Sequence, residues 1–524
     1  MTLEVILSIL AGSAAAGLVM SFCMAPVLGV LQQCGYSEKG LFCWYFHKHN
    51  MLRRRHALLA LSELLLVSLF ALCFSFLGSA LACLVSAAPF VGLGVLYILS
   101  SRHALKVPLR RSARMMRLGG CCFVLVCALI FGVSCGMWFA AEAVESELFR
   151  LFRFVPLALL PLLFPFLAAL AGLLMKPFEL CHNRRFIARA KKKLAVSPCI
   201  KVGITGSFGK TSVKHFASEM LSEKFRVLAT PQSFNTPMGI ARTVKGGLDC
   251  DIFLAEMGAR REGDIRELCE LVRPEYGIVT GVSDQHLETF GSLEAIAAEK
   301  RVLAEYAPKI VLGASVRYDK AGALKEGRDF AAEDIVCTEE GTSFTLRLGK
   351  ERAHIQTKLL GRHSAADVTF AAALCSMLGM SLSEIAAAAA LLTPVPHRLE
   401  KRVSGGVNIL DDSYNANTAG ALAAVETLKL FKGRKFVVTP GLVELGELEE
   451  KRNGELGAAL VGLDGILLVG ETRVSAVSAG YLNAGGDGGK LRTLPTLREA
   501  QLVLKNELKA GDTVLFLNDL PDTY

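Results

Sequence analysis

Gly203-Ile204-Thr205-Gly206-Ser207-Phe208-Gly209-Lys210-Thr211-Ser212 decides how the rest of this chain is read. A short β-rich run, Cys199-Ile200-Lys201-Val202, precedes it, and a helical stretch begins near Val213. A glycine-rich turn therefore meets a helix N-terminus. Such a junction is an anion site, because glycines let backbone N–H groups close on phosphate oxygens and the helix start adds unpaired donors and partial positive charge. In this reading Thr205, Gly206, Ser207, Gly209 and Ser212 cradle a triphosphate, Lys210 reaches its β/γ-phosphates, and Thr211 ligates Mg²⁺. Ile204 stands where the strict Walker A string has glycine, so the match is to the shorter Thr-Gly-x-x-Gly-Lys-Thr form. A turn that needed glycine for geometry alone would have no use for Lys-Thr at the helix start.

Upstream of this turn the chain is nearly all apolar. Five stretches of about 20 residues, long enough to cross a hydrocarbon core, cover 5–31, 57–77, 80–99, 118–139 and 154–175. Lys39, Lys48, Arg53, Arg54 and Arg55 lie between the first two, and Arg102, Lys106, Arg110, Arg111, Arg114 and Arg117 between the third and fourth. Both loops are expected to be cytoplasmic. Glu142, Glu145 and Glu147 fall between the fourth and fifth, and Arg184, Arg185, Arg189, Lys191, Lys192 and Lys193 follow the fifth. The expectation is an outside N-terminus, five crossings and a cytoplasmic remainder. A cleaved signal peptide does not suit the first stretch, which is long and has no basic start. Glu63 is the best candidate for an ionisable group deep in a span, though it lies close enough to the cytoplasmic end to snorkel. Much of the net charge of +9 lies in these membrane-flanking loops, so no nucleic-acid partner is implied. Fifteen cysteines fall into neither a zinc pattern nor a disulfide framework.

From Ile200 onward short β-branched runs alternate with helical stretches. Strand candidates at 227–229, 252–255, 277–282 and 309–312 imply a parallel, doubly wound sheet. Polar alternation between 314 and 360 suggests a small antiparallel subsheet, and a helical run over 364–379 completes the domain. Thr393-Pro394-Val395-Pro396 marks a break. A second α/β unit follows, with strands at 407–410, 435–438, 465–469, 491–494 and 513–516. The domains read as 1–180 transmembrane, 181–199 basic juxtamembrane linker, 200–396 central and 397–524 C-terminal.

Five further sites could carry chemistry. Glu256 lies just past a strand, on the sheet edge where ligands bind, well placed to hold Mg²⁺ with Thr211; the plainer alternative is a solvated loop acid. His286 also follows a strand, where a capping or surface role is the commoner one. Lys300 on its own is a solvated helix lysine. Arg398 follows the proline break, and Asp411-Asp412-Ser413-Tyr414-Asn415-Ala416-Asn417 suits both turn chemistry and ligand binding.

Taken in order, these landmarks, with Asn235-Thr236-Pro237, Glu256-Met257-Gly258, His286-Leu287-Glu288, Gly361-Arg362-His363, His397-Arg398-Leu399 and Glu444-Leu445-Gly446-Glu447, resemble the Mur ligases over 200–524, in particular their D-alanyl-D-alanine-adding branch. The resemblance implies a P-loop central domain and a Rossmann-like C-terminal domain that together perform ATP-dependent amide formation through an acyl phosphate. Lys210, Glu256, His286 and Lys300 would be catalytic. Thr211 and Glu256 would hold one Mg²⁺, and His286 with Lys300, as its carbamate, a second. Asp367, Arg398 and Asp412 would serve the nucleotide, and Asn235, Thr236, Asn415 and Asn417 the substrates. The chain departs from that pattern. The five-span region replaces the family's uridine-nucleotide-binding domain, Ser364 and Asp367 stand where asparagines are usual, Thr418 replaces a proline, and Leu517-Asn518-Asp519 replaces Lys-Gly-Ser. The acceptor is therefore left open: a peptidoglycan-type precursor, lipid-linked or nucleotide-linked, or a poly-γ-glutamate-type polyamide. A membrane nucleotide sensor or transport-coupled ATPase is the alternative outside ligase chemistry, and it has no need of a His286–Lys300 pair.

Overall fold

The computed structural model describes residues 2–46, 51–73, 81, 88–100, 109–144, 155–284, 287–414, 417–443, 445–470 and 473–518. The chain divides into two units, Met1–Asn183 and Arg184–Leu520.

The first unit is helical. Among the described residues four stretches are long and apolar enough to cross a membrane: Leu3–Cys23, Leu52–Cys73, Ala113–Val144 and Val155–Val196. This corrects the expected five. The described part of 80–99 is a 13-residue helix, Ala88–Ser100, about 20 Å long at 1.5 Å per residue, against a hydrocarbon core of about 30 Å; residues 82–87 lie outside the described ones. The first span is also shorter than its apolar run. It ends at Cys23, and a separate helix, Ala25–Gln33, starts with Pro26 in its first turn, where a residue without an N–H is tolerated. Along Ala113–Val144 the buried positions Leu118, Cys122, Val126, Ile130, Ser134 and Trp138 recur every four residues, while Val124 and Phe139 on the other face are exposed. The helix is thus apolar on both its packed and its open face, as a candidate span is. Glu63 does not snorkel: it is 0% exposed inside the bundle. The expected linker over 181–199 is helical up to Val196, as part of Phe164–Val196.

Among the described residues the second unit holds three sheets. In the first, β1 (Ile200–Thr205), β2 (Val227–Ala229), β3 (Ile252–Glu256), β4 (Tyr276–Val279), β5 (Lys309–Leu312) and β6 (Leu324–Lys325) run parallel in the order β2-β3-β1-β4-β5-β6. All five residues of β3 are buried, as a strand covered on both faces requires. The register pairs Ile204 with Glu256, so the ends of β1 and β3 open on the same carboxyl edge. An antiparallel sheet follows, β7 (Phe330–Thr338), β8 (Gly341–Leu348) and β9 (Glu351–Thr357). Helix Arg362–Met377 joins it to the first sheet, with Phe330 and Phe370 packed edge to face.

The third sheet is ordered β10-β11-β15-β12-β13-β14, from β10 (Glu400–Ser404), β11 (Val407–Asp412), β12 (Lys435–Thr439), β13 (Gly465–Val469), β14 (Leu491–Leu494) and β15 (Thr513–Leu517). All its pairs are parallel except β10 with β11. That hairpin turns on Gly405-Gly406, both at positive φ, the geometry of a two-residue turn. β10 and the two-residue β6 escape a hydrophobic-pattern reading. Glu-Lys-Arg-Val-Ser on β10 is a charged edge strand, the kind of sequence that guards a sheet margin.

Candidate functional site

The glycine-rich turn leaves β1 at Thr205, whose hydroxyl donates to the Met257 carbonyl at 2.8 Å. Gly206 (φ 147°) and Gly209 (φ 70°) both adopt left-handed backbone. A side chain at 206 would run into the Thr280 hydroxyl, and one at 209 into the Asp367 carboxyl group, so both positions need glycine for space as well as for conformation. The turn is tied to the exit of β4: Ser207 N–H donates to the Gly281 carbonyl at 2.9 Å, and the Thr280 hydroxyl donates to the Phe208 carbonyl. Helix Lys210–Ser222 starts at once. Lys210 Nζ folds back onto the carbonyls of Gly206 (2.6 Å) and Ser207 (3.4 Å). Burial pulls its ammonium down to about 8, against the attraction of Glu256 and with the repulsion of Arg398.

Glu256 ends β3 and is 1% exposed. Its Oε1 accepts from Asn235 Nδ2 at 3.2 Å and its Oε2 from Lys214 Nζ at 2.9 Å, while its own N–H donates to the Thr230 hydroxyl. Lys214 was missed in the sequence. The signal was available: it lies four residues after Lys210, on the same helix face. Glu256, Thr211, Asn235 and Thr236 line a cavity of about 590 Å³ together with the glycine-rich turn. Thr236 also caps helix Pro237–Lys245 by accepting from Gly239 N–H.

Lys300 is 3% exposed on helix Leu293–Tyr306 and is not part of the cavity wall. Burial, reinforced by the charge of Lys210, pulls it down to about 7; Glu299 and Asp264 act in the opposite sense. Glu299 accepts from the N–H groups of Gly263 and Ile265, capping helix Asp264–Val272. His286 lies outside the described residues, as do Asn415 and Glu444.

The far wall of the cavity comes from the C-terminal sheet and its approach. Arg398 sits between His397 (φ 62°) and Leu399 (φ 48°), non-glycine residues in left-handed backbone, a costly conformation of the kind concentrated at ligand sites. Its guanidinium lies 4.6 Å from the Tyr414 ring centre. Asp412 accepts from Leu399 N–H at 3.1 Å; burial pushes its carboxyl up to about 7 despite Arg398. Asp367, on helix Arg362–Met377, stands against Gly209, and burial pushes it up to about 8, opposed by Arg398 and a hydrogen bond from Ser212. Burial and Arg398 hold His363, in the same wall, near 4, so its ring is neutral. Asn417 lines the cavity, but its side-chain oxygen is used as a cap, accepting from Gly420 N–H at 2.7 Å. Tyr414 reaches across to Ser233, donating at 2.6 Å, and Arg452 bonds Asp284 at 2.9 Å, so side chains bridge the C-terminal and central domains beside the cavity.

Among the described residues no three His, Cys, Asp or Glu side chains converge as a metal cluster. The hard oxygens of Thr211 and Glu256 on one wall nevertheless fit Mg²⁺, which takes one or two protein ligands and fills its shell from phosphates and water. The buried ammonium of Lys214 on Glu256 shows that this carboxylate is matched to positive charge.

Residues 204–375 match the Mur ligase middle domain, and residues 397–518 match the glutamate ligase domain of Mur ligases. The UDP-N-acetylmuramoyl-tripeptide–D-alanyl-D-alanine ligase of Escherichia coli (strain K12) is 33% identical over 294 residues, covering 52% of this chain and 65% of the relative. The enzyme of the same name from Mycobacterium tuberculosis (H37Rv) is 31% identical over 352 residues, 60% of this chain and 69% of the relative. About a third of each relative's length is thus unmatched. Among solved structures, MurF ligase from Thermotoga maritima in complex with ADP superposes with a TM-score of 0.58 at 25% identity, covering 65% of this chain and 81% of that one. With both domains present in order, around the cavity described above, the chain belongs to the Mur ligase family.

Proposed function

We propose that this protein is a membrane-anchored, ATP-dependent amide ligase of cell-envelope precursor synthesis. The observation that carries the reading is the meeting of the phosphate turn, the Glu256–Asn235 pair and the Arg398–Asp412 pair, from three separate stretches of chain, around one cavity. In the reaction an acceptor carboxylate attacks the γ-phosphorus of ATP and ADP leaves. The amine then adds to the acyl phosphate carbonyl and inorganic phosphate departs.

Lys210 and the turn's N–H groups bind and orient the phosphates, which is most of what phosphoryl transfer asks of a protein. Thr211 and Glu256 hold one Mg²⁺, which supplies charge neutralisation at the phosphates. Lys300 is the carbamylated lysine of a second metal site with His286. An amine with a pKa near 7 is about half unprotonated at neutral pH, and only that form adds to CO₂. Arg398, Asp412 and Asp367 serve the nucleotide, while Asn235, Thr236, Asn415 and Asn417 are assigned to the substrates by the family resemblance. By likeness to the relatives' names the acceptor is a UDP-N-acetylmuramoyl-tripeptide-like carboxylate and the amine D-alanyl-D-alanine. The unmatched third of those relatives leaves room for a lipid-linked acceptor instead.

The apolar helices anchor the chain in the cytoplasmic membrane. The basic segment Arg184–Lys193, next to the ligase domains, carries the cytoplasmic signature, which puts those domains inside. The test is phosphate release by the full chain in detergent with MgATP. Release is expected only when both a peptide-bearing acceptor and an amine are present, with the amide product seen by mass spectrometry. Hydrolysis indifferent to both would favour the sensor or transport ATPase.

A further inference from the structure

Lys214 is a buried charge, 4% exposed, that none of the steps above uses. Its Nζ is pinned by two acceptors, Glu256 Oε2 at 2.9 Å and the Gln232 carbonyl. Asn235 occupies the other oxygen of the same carboxylate at 3.2 Å. Glu256 is therefore fixed at both oxygens before any ligand arrives, and each charge of the pair removes the cost of burying the other.

This has a consequence for Mg²⁺. A cation bonded to Glu256 sits about 2 Å from its oxygen, and hence within a few ångströms of a buried ammonium that cannot swing away. Like charges that close in a poorly hydrated wall repel strongly. A triphosphate lying on the glycine-rich turn adds several negative charges beside both cations and offsets that repulsion.

We propose that Lys214 is a positioning residue that holds Glu256 ready as a ligand but keeps Mg²⁺ off it until a nucleoside triphosphate is bound, so that metal and nucleotide enter together. The proposal rests on the ligase reading only for the identity of these two ligands.

The test is binding, not turnover. The full chain in detergent is titrated with Mn²⁺, read by electron paramagnetic resonance, with and without a non-hydrolysable ATP analogue. Glu256→Gln serves as the control that isolates this site. In the unaltered chain the metal is expected to bind at least tenfold more tightly with the analogue than without. In Lys214→Met, binding of the metal alone tightens at least tenfold and the gap narrows, whereas Lys214→Arg keeps the gap. A merely structural lysine gives the opposite: metal-alone affinity unchanged or weakened in Lys214→Met, which overturns the proposal. Equal affinities with and without analogue in the unaltered chain overturn it too, without need of a variant. Failure of the analogue to bind at all would count against the ligase reading, and the metal-alone comparison of Lys214→Met with the unaltered chain would still decide the role of Lys214.

Discussion

At the scale of single residues, burial drives five groups in and near the cavity toward neutrality: Asp367 and Asp412 upward, Lys210, Lys300 and His363 downward. For Asp367 the sign of the stability effect follows directly. Its folded pKa of about 8 lies above the unfolded value of 3.8, so the folded state keeps a proton that the unfolded chain releases, and stability falls as pH rises between those values. Asp367→Asn is expected to raise Tm by an amount near zero at pH 4 and largest above pH 8, corresponding to roughly 2 kcal/mol or more; a Tm difference flat with pH would refute this. Lys210→Met removes the phosphate-facing charge and is expected to lower kcat/KM for MgATP by about 10²–10³-fold, with Tm little changed. Lys210, Thr211 and the glycines were legible because their roles are set by adjacent residues. The Asp367–Gly209 contact was not, since 158 positions separate the two in the chain and only the fold brings them together.

At the scale of elements, the glycine-rich turn is the most constrained piece. Gly209→Ala places a Cβ in left-handed backbone, costing about 1–2 kcal/mol, and drives it into Asp367. Nucleotide affinity, read by calorimetry, is expected to fall more steeply than stability. Apart from β6 and β10, the strands of the two largely parallel sheets could be read from the sequence because buried parallel strands are continuous apolar, β-branched runs. β10 could not, because a charged edge strand looks like a loop. In the helical unit, apolar length alone overstated the spans at 5–31 and 80–99. Basic residues on either side of the last two spans are expected to keep both flanks cytoplasmic: an epitope inserted after Arg111 is expected to resist antibody until cells are permeabilised.

For the second unit as a whole, Tyr414–Ser233 and Arg452–Asp284 tie the C-terminal domain to the central one. Arg452→Ala is expected to lower kcat/KM about tenfold, from the loss of a partly buried ion pair, and Asp284→Asn in the same chain should add little further loss, the coupling a double-mutant cycle detects. The sequence by itself determined the phosphate turn, the alternation of strands and helices, the apolar N-terminal third and the ordered landmarks of the family, because each is written in neighbouring residues or in a repeating period. Only the tertiary structure decided that Lys214 answers Glu256, that Asp367 stands behind Gly209, that Asn417 is used as a helix cap, and that Glu63 faces inward. These depend on which distant segments meet and how much water is left between them, which local pattern does not encode.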